Sequence, residues 1–582
     1  MPSSSQPAGT VGRPPDRAER AAYELGRALG RARRQARRLP VPRPWMVLGA
    51  LVVCDWLVTL EAARIALHQG WLYYDGGDST WYYTSAWVLA HGHIPTTAIG
   101  YLYSMLIAPA ALIAGPNLLA GLPFILLFNA IVLSPIAVLC VYGLTKAIGG
   151  IRFAYPATLL WIVVPLLAIR YFLPDYHTRY VDIALPAAVG LTAVGDFPSM
   201  VCLLLAAYFS YRALSSRSGL DALTAGLATG LALGIKPANA LFVPAPFLAL
   251  ALARRPRQIG LLAAGIAPSL LALALWKYRG LGHLPLFSSQ PVAIAVGAGA
   301  SVPPLAFSVN LTHYIHFGWA HYNSNLDGLR EFGWSKRLVE WLAFGGLIGL
   351  ARRALPGAAL IGVWFFSYLF VKGGNANVSF DGGTVFTHLL ACIPAYILLA
   401  ACTVFLVPIY GRKKLPTAAT TSWPRSERAR RGTLALVAFL AVVPIGVVAL
   451  LPPLTRPAAA DLEADDLYLP VNQFPLTARA VDGAVRLSWP RQQTRGGHVS
   501  YFVFRSAGGD GFVCEPVAHA ASECPFNEGP THIVRGGRTS FRDHPGRGEW
   551  TYRVALAATG MGSPREASPL LLSSSATVAV AG

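Results

Sequence analysis

Charged residues are scarce in this chain of 582 residues: only 13% are Asp, Glu, Lys or Arg, against about 25% in a typical soluble domain. Hydrophobic residues make up 54% of the sequence. Apolar runs of about twenty residues, the length needed to cross a bilayer, recur along most of it. The composition therefore excludes an ordinary soluble globular protein and predicts a polytopic α-helical membrane protein.

Cysteines with metal-ligand spacing are also missing. Of the seven cysteines, five lie within apolar runs, where a free thiol usually behaves as a small buried hydrophobic group. The other two, Cys514 and Cys524, lie near the C-terminus. The sequence therefore gives no indication of a cysteine-based zinc site.

Acidic residues are few, 28 against 48 Lys and Arg, which gives a formal net charge of +20. Its placement argues against nucleic acid as the partner. Residues 1–43 carry ten arginines and three acids, and residues 410–432 carry seven Lys or Arg and one acid. Both segments flank apolar runs, where positive charge stays on the cytoplasmic side and attracts anionic lipid. We therefore expect membrane lipids as partners, no nucleic acid, and a disordered N-terminal tail.

Clusters of Lys and Arg in short loops usually lie on the cytoplasmic side of a membrane. An arrangement of eleven transmembrane helices places all the basic clusters of this chain on that side, with the N-terminus cytoplasmic and the C-terminus external. Residues 99–115 are apolar but short, and counting them as a span would put two arginine clusters outside. We therefore interpret them as a helix on the outer membrane surface. The predicted spans are roughly 45–67, 118–144, 154–171, 198–214, 219–235, 238–252, 258–277, 338–351, 356–371, 385–408 and 433–452.

The first outer loop contains the most unusual stretch, residues 71–92. It holds two aspartates and seven aromatic residues but no lysine or arginine. Asp78 begins a helical pattern over 78–91, directly after two glycines. An aspartate there can simply cap the helix, or it can present a carboxylate for chemistry outside the membrane. The acidic and aromatic residues gather in the outer loops rather than within the spans, which favours an enzyme that works at the outer surface.

This loop resembles the first outer loop of the GT-C glycosyltransferases, polytopic enzymes that take a sugar from a polyprenyl-phosphate carrier. The resemblance lies in Asp78-x-x-x-Tyr82-x-x-x-Ala86, Gly92-x-x-Pro95 and Tyr101. It continues in the second surface helix at 99–115, then at 194–214, 226–244 and 373–401, and it covers residues 45 to about 452. It implies a GT-C-like transmembrane catalytic domain.

The resemblance also implies site residues. Asp78, assisted by Asp75, would deprotonate the acceptor hydroxyl in an inverting displacement. A divalent metal (Mg, Mn or Ca) is a further possibility, held by Asp196 together with Asp78 or Asp75, although Asp196 can equally be a helix-opening residue. The residues implied for substrate or phosphate binding are Tyr82, Arg179, Lys236, Lys372 and His388.

Two of these implied residues have alternative interpretations. Lys236 and Lys372 lie at the ends of predicted spans, where lysines often serve only as snorkelling anchors. Another candidate is the segment HYIHFGWAHYNSNLDG at 313–328. It contains more aromatic and polar residues than the belt of Trp and Tyr that membrane proteins usually carry at the membrane–water interface. We interpret it as a substrate-facing loop, because its histidines match no standard zinc motif.

Beyond residue 453 the pattern changes to alternating strands, and residues 472–582 resemble a fibronectin type III-like β-sandwich with core residues Trp489, Tyr501 and Tyr552. Because the predicted topology puts this domain outside the cell, we expect a disulfide between Cys514 and Cys524. The predicted organisation is a basic cytoplasmic tail (1–43), the GT-C-like domain (44–452), a linker (453–471) and the sandwich (472–582).

The sequence thus predicts a glycosyltransferase, hexosyl or pentosyl, in a bacterial plasma membrane. Its donor would be a polyprenyl-phosphate-linked sugar. Its acceptor would be an extracytoplasmic cell-envelope glycan, glycolipid or protein, and an arabinosyl- or mannosyltransferase is a plausible subtype. The main alternative is a transporter or flippase of lipid-linked sugars, which would place charges deep within the spans. A non-catalytic receptor is a third possibility, and it would not need Asp75, Asp78 and Asp196.

Overall fold

Most of the described chain is helical. The computed structural model describes residues 43–66, 78–95, 97, 99–115, 118–172, 185, 188–216, 218–282, 284, 292–294, 305–307, 317–332, 338–375, 378, 388–407, 423–424, 426–453, 474–491, 499–507, 532–534, 538–558 and 573–581. Residues 1–42, most of the predicted linker, and both Cys514 and Cys524 lie outside these ranges. The disordered tail and the disulfide therefore stay predictions.

The chain divides into two compact units, residues 1–50 and 51–582. The structure describes only residues 43–50 of the first unit, where the first helix begins. The second unit contains all the other elements described below. The domain boundaries predicted from the sequence stay predictions.

Fifteen α-helices run through the described residues. They are α1 Pro44–Ala66, α2 Asp78–Ala90, α3 Leu102–Ala114, α4 Leu118–Phe128, α5 Ser134–Gly149, α6 Ile151–Phe172, α7 Asp196–Ser216, α8 Gly219–Ile235, α9 Pro244–Leu252, α10 Pro256–Leu281, α11 Trp319–Phe332, α12 Leu338–Arg353, α13 Leu355–Gly373, α14 Ile393–Cys402 and α15 Glu427–Leu450. A π-helical turn, Asn129–Leu133, joins α4 to α5, and 3₁₀ turns occupy Pro237–Phe242, Leu390–Cys392 and Thr403–Leu406.

Six helical segments of the described residues are long and apolar enough to cross a membrane. They are Pro44–Ala63, Gly121–Gly149, Asp196–Ser216, Pro256–Leu281, Leu355–Gly373 and Glu427–Leu450. The other five predicted spans coincide with helical segments that fall short of this length or hydropathy. The chain is therefore mostly helical with six candidate membrane spans, and the count of eleven crossings and their sidedness stay predictions.

Helix α8 is buried along nearly its whole length, because its sequence alternates small residues with leucines. A Cβ atom added at Gly226 would lie 2.1 Å from the backbone oxygen of Leu262 on α10. Only glycine fits such a contact, and small residues are what allow membrane helices to approach closely. Helix α8 is therefore an internal element, and its C-terminal end is held from several sides.

The helix predicted over 78–91 is present as α2, but it is covered on more than one face. Tyr82 and Tyr83 are adjacent in sequence and only 2% and 1% exposed. The Tyr83 hydroxyl donates a hydrogen bond to the Gly115 oxygen, at the end of α3, at 2.7 Å. Helix α2 is thus packed into the second unit on at least two sides, which a pattern of residue types alone did not predict.

The strands within the described residues form three antiparallel sheets. They are β1 Val292–Ile294, β2 Leu305–Phe307, β3 Thr477–Val481, β4 Ala484–Ser488, β5 Val499–Ala507, β6 His532–Val534, β7 Ser540–Asp543, β8 Gly548–Ala558 and β9 Ala576–Val580. The first sheet pairs β1 with β2, the second has the order β3-β4-β7, and the third has the order β6-β5-β8-β9. Asp482 and Gly483 turn β3 into β4 with φ values of 52° and 70°, as a two-residue hairpin turn of the primed type requires.

Buried residues from the second and third sheets form one hydrophobic cluster. The predicted core residues Trp489, Tyr501 and Tyr552 all belong to it, which confirms their assignment to the core. Alternate residues of β5 and β8, including Val503 and Val554, complete it. The fibronectin type III-like classification of this region stays a prediction.

A buried carboxylate on β7 joins the two larger sheets. Asp543 is 4% exposed. Its Oδ2 accepts hydrogen bonds from Arg505 on β5 at 2.9 Å and from the Tyr552 hydroxyl on β8 at 2.7 Å. His532 on β6 lies 3.2 Å from Oδ1. Burial alone would raise the pKa of Asp543, but these hydrogen bonds and the charge of Arg505 outweigh it and lower the pKa below its ordinary value.

We predict that Asp543→Asn destabilises the C-terminal sheets by about 2 kcal/mol, since it removes hydrogen bonds to a charged group. In the wild type this contribution is complete above the unfolded-state pKa, about 3.9. It is lost as the pH falls through the lower folded-state pKa. Hydrogen exchange of the β5, β7 and β8 peptides in the full-length protein measures both effects. The exposed Glu549→Gln is the control, and equal exchange in the Asn variant and the wild type would contradict the prediction.

Candidate active site

Asp196 is the first residue of α7, within the sequence Gly-Asp-Phe-Pro. Proline fits the first turn of a helix because its missing N–H would have no partner there. A carboxylate at this end is also favoured by the helix dipole. Asp196 is only 5% exposed, and its Oδ1 accepts a hydrogen bond from the Lys236 ammonium at 2.6 Å. The helix start thus carries a largely buried ion pair.

Lys236 ends α8, and the proline that follows determines its backbone conformation. Its φ and ψ of −136° and 105° are extended, as expected for a residue that precedes proline. Its amide still donates to the Ala232 oxygen at 2.9 Å, so the last turn of the helix is complete. The side chain is 22% exposed. The Lys236-Pro237 sequence therefore ends the helix at the point where the lysine reaches Asp196.

The 3₁₀ turn after Lys236 is fixed to α13 through two side chains. Asn239 donates to the Ala232 oxygen at 2.9 Å and accepts a hydrogen bond from the Tyr368 hydroxyl at 2.7 Å. Lys372 lies one turn beyond Tyr368 on α13, so the two residues share a helix face. Lys372 is 5% exposed, and its ammonium interacts electrostatically with both Lys236 and Asp196. The second lysine therefore belongs to the same cluster.

Tyr82 connects α2 to this cluster. Its hydroxyl donates to the Ile235 oxygen at 3.0 Å, one residue before Lys236. A Cβ atom added at Gly195 would lie 2.6 Å from the Tyr82 ring, so the glycine before Asp196 makes room for the tyrosine. We define the ammonium cluster as Asp196, Lys236, Lys372 and Tyr82. Among the described side chains, this cluster brings together two ammonium groups and one carboxylate.

Of the other predicted site residues, the structure describes His388 and the backbone of Asp78. Asp78 is the first residue of α2, one helical turn before Tyr82, and its side chain lies outside the described residues. Asp75 and Arg179 also lie outside them. His388 is half-buried, two residues before the 3₁₀ turn that begins at Leu390. The roles predicted for these four residues stay predictions.

A second buried lysine, Lys277 on α10, was missed by sequence reasoning. It is 6% exposed, and its ammonium donates to the backbone oxygens of Thr97 at 3.1 Å and Ile99 at 2.7 Å. The neighbouring Trp276 donates to the same Ile99 oxygen at 3.2 Å. The sequence Trp-Lys looked like the interfacial end of a span, and nothing in it identified backbone carbonyls about 180 residues away as partners.

The segment that Lys277 holds packs against the end of α8. A Cβ atom added at Gly100 would lie 2.2 Å from the Ile235 oxygen and 2.3 Å from the Gly234 oxygen. Backbone atoms cannot move aside cheaply, so only glycine fits there. Lys277 therefore fixes the backbone at Ile99 and Gly100. This backbone packs directly against Gly234 and Ile235, the two residues that precede Lys236.

The described residues do not fit a divalent metal. The Lys236 ammonium lies 2.6 Å from Asp196 Oδ1, close to the position that a cation bound by that oxygen would take. Within the described ranges, no three His, Cys, Asp or Glu side chains are grouped as metal ligands would be. A metal held by Asp196 together with Asp78 or Asp75 therefore stays a prediction.

No protein-family model and no curated protein matches the chain. Among solved structures it is similar to the Archaeoglobus fulgidus oligosaccharyltransferase tethered with an acceptor peptide, with 14% identity over 73% of this chain and a TM-score of 0.34. It is also similar to the same organism's AglB in complex with an inhibitory peptide and a dolichol-phosphate, with 14% identity over 72% of this chain and a TM-score of 0.31.

A further structure of the Archaeoglobus enzyme, in complex with Zn and sulfate, gives 16% identity over 72% of this chain and a TM-score of 0.34. The chain spans only 53% to 56% of the length of these three structures. A likeness with TM-scores this low establishes neither a shared fold nor a shared activity. The glycosyltransferase family therefore stays a prediction.

We predict that Gly100→Ala destabilises the protein by about 1–3 kcal/mol, the usual cost of overpacking a filled site. The new methyl group would press on the backbone just before Lys236. Thermal unfolding of the purified protein in detergent measures the effect. The matched control is Gly260→Ala on α10, which has no neighbour within 4 Å and should leave stability unchanged or slightly raised. Equal unfolding temperatures for both variants would contradict the close approach.

Proposed function

We propose that this chain is a membrane glycosyltransferase of the GT-C type. It transfers a sugar from a polyprenyl-phosphate donor to a hydroxyl group of an envelope glycan, glycolipid or protein. The observation that carries the proposal is the ammonium cluster. Four separate elements converge to hold two lysines beside one carboxylate in a largely buried position. Positive charge in such a place favours an anionic ligand, because low-dielectric surroundings strengthen its field.

The lipid phosphate of the donor is the ligand that suits this cluster. Lysine binds phosphate as a point charge, and Lys236 and Lys372 supply two such charges from different helices. Asp196 orients the Lys236 ammonium and offsets part of the repulsion between the lysines. Six apolar helices of the same chain can accommodate the isoprenoid part of the donor within the membrane. The cluster would thus bind the leaving group and stabilise its developing charge.

Asp78 is the proposed general base. It begins α2, about 6 Å along the helix axis from Tyr82, whose hydroxyl is bonded beside Lys236. The carboxylate takes the proton of the acceptor hydroxyl as that oxygen bonds to the anomeric carbon. The bond from this carbon to the phosphate oxygen breaks, and the lipid phosphate leaves with the electron pair. Attack from the opposite face inverts the anomeric configuration, and Asp75 assists Asp78.

The side of the membrane on which each part of the chain lies follows from the positions of the basic clusters. The N-terminus would be cytoplasmic, and the ammonium cluster and the C-terminal sheets would face the outside of a bacterial plasma membrane. Arg179 and His388 would add contacts to the phosphate or the sugar. Arabinosyl and mannosyl transfer are the subtypes that the sequence resemblance favours.

A transporter of lipid-linked sugars is the competing hypothesis, and one observation favours it. Asp55 lies within the candidate span α1 and accepts a hydrogen bond from the Ser134 hydroxyl on α5. Ionisable groups inside a membrane often mark a transport path. A transporter needs no general base at the start of α2, so the behaviour of an Asp78 variant distinguishes the two functions.

We predict that Asp78→Asn lowers the rate of sugar transfer by a factor of about 10² to 10⁴, the usual contribution of a general base. Labelled polyprenyl-phosphate sugars incubated with purified protein and envelope fractions provide the assay. Asp482→Asn in the β3–β4 turn is the control, because asparagine tolerates its positive φ. Undiminished transfer by a folded Asp78→Asn protein would refute the assignment, whereas lipid-sugar flipping without any transfer by the wild type would favour the transporter.

We also predict that Lys372→Met raises the KM for the lipid-phosphate donor about tenfold, equivalent to about 1.4 kcal/mol of binding energy. The KM for the acceptor should change far less, because the lost contact is to phosphate. Lys372→Arg should restore most of the donor affinity, since the charge is kept. Lys146→Met on α5 is the control for loss of a lysine at a helix end. Equal changes in both KM values would contradict phosphate binding by Lys372.

A further inference from the structure

Helix α11 is attached to the segment that directly follows Lys372. The Gly318 amide, at its start, donates to the Gly374 oxygen at 2.7 Å. The Asn325 side chain donates to the Gly373 oxygen at 2.9 Å and to the Val378 oxygen at 2.7 Å. Asn325 is itself only 4% exposed. These bonds connect the helix to the ammonium cluster through one or two residues of backbone.

Four aromatic rings form a platform at this junction. Phe317 stacks on Phe370 of α13 with a centroid distance of 4.6 Å, and Trp319 meets Phe317 edge-on at 5.0 Å. Trp319 also contacts Tyr322 and Phe370, each at 6.0 Å. We name Phe317, Trp319, Tyr322 and Phe370 the aromatic ledge. Its packing holds Trp319 in place, yet this residue remains 65% exposed.

The exposed side chains that follow Trp319 along α11 are mostly polar, which distinguishes this part of the helix from one that faces lipid. After the small residue Ala320, the exposed residues on α11 are His321, Asn323, Ser324 and Asp327. By contrast Trp341 on α12, 69% exposed, is followed along its helix by the exposed apolar residues Phe344 and Ile348. The surface around Trp319 therefore suits a neutral, hydroxyl-rich ligand better than a membrane.

We infer that the aromatic ledge and the polar face of α11 bind the saccharide part of the acceptor. This inference rests on the proposed function and names where that function's second substrate binds. A pyranose or furanose ring presents C–H groups, which carry a small positive charge and stack on the negative face of an aromatic ring. His321, Asn323 and Asp327 supply hydrogen-bonding groups for its hydroxyls. The connection to Gly373 and Gly374 then sets the acceptor beside the phosphate of the donor.

The first test compares kinetic constants. Trp319→Ala should raise the KM for a soluble acceptor oligosaccharide about tenfold, as expected for loss of one stacking contact, with the donor KM within twofold of the wild type. Trp319→Phe should recover most of the affinity. Trp341→Ala is the matched control and should change neither constant. An unchanged acceptor KM in Trp319→Ala, or equal increases in both constants, would overturn the inference.

The second test measures binding without transfer. Linear oligosaccharides of mannose, arabinose and N-acetylglucosamine are titrated into the purified full-length protein by calorimetry. At least one should bind to the wild type and to Trp341→Ala, and its affinity should fall about tenfold in Trp319→Ala. Binding by a protein that transfers no sugar would support the ledge and refute the proposed glycosyltransferase. Binding of none of the three would refute the ledge, even if transfer is observed.

A third measurement addresses the membrane as the alternative occupant of the ledge. In nanodiscs that contain brominated phosphatidylglycerol, tryptophans in contact with lipid lose fluorescence. The quenched fraction should shrink in Trp341→Ala and stay unchanged in Trp319→Ala. A smaller quenched fraction in Trp319→Ala would show that Trp319 contacts lipid and would overturn the saccharide assignment.

Discussion

The ion pair between Lys236 and Asp196 is the interaction on which the candidate site depends. A chain this poor in charge has little reason to bury an ammonium and a carboxylate, because each costs several kcal/mol unless it is paired. At 2.6 Å the pair is tight. Both partners lie at helix ends: Pro237 ends α8 directly after Lys236, and Pro198 lies in the first turn of α7, which begins at Asp196. Because each partner lies at the end of a different helix, the pair fixes the end of α8 against the start of α7.

Close backbone approach is what allows several elements to meet at this pair. Gly100 lets the segment after α2 touch the last carbonyls of α8, and Gly195 gives the Tyr82 ring its place beside Asp196. Lys277 then fixes the first of these segments from α10. Because a side chain at either glycine would push the elements apart, the geometry of the ammonium cluster depends on residues that bear no charge. Sequence motifs centred on charged residues miss this contribution.

The sequence located most of the described helical segments, whereas it did not reveal how the residues of the candidate site pair, because the two kinds of interaction differ in range. Hydropathy and local capping are short-range, so the sequence placed the start of α2 at Asp78 and a short helix within 99–115, where the structure has α3. The pairing of Asp196 with Lys236 joins residues 40 positions apart, and the sequence offered a metal or a helix cap for Asp196 instead. Lys277 was missed because its partners are backbone carbonyls, which every residue possesses and which no pattern marks.

The two lysines of the cluster are the reason why we expect it to attract an anionic ligand. Lys236 and Lys372 reach the same cluster from different helices, and a phosphate carries enough negative charge to interact with both. Asp196 offsets one positive charge, and the tight contact with Lys236 directs its carboxylate mainly to that lysine. A phosphate oxygen placed between the two ammonium groups would accept hydrogen bonds from both.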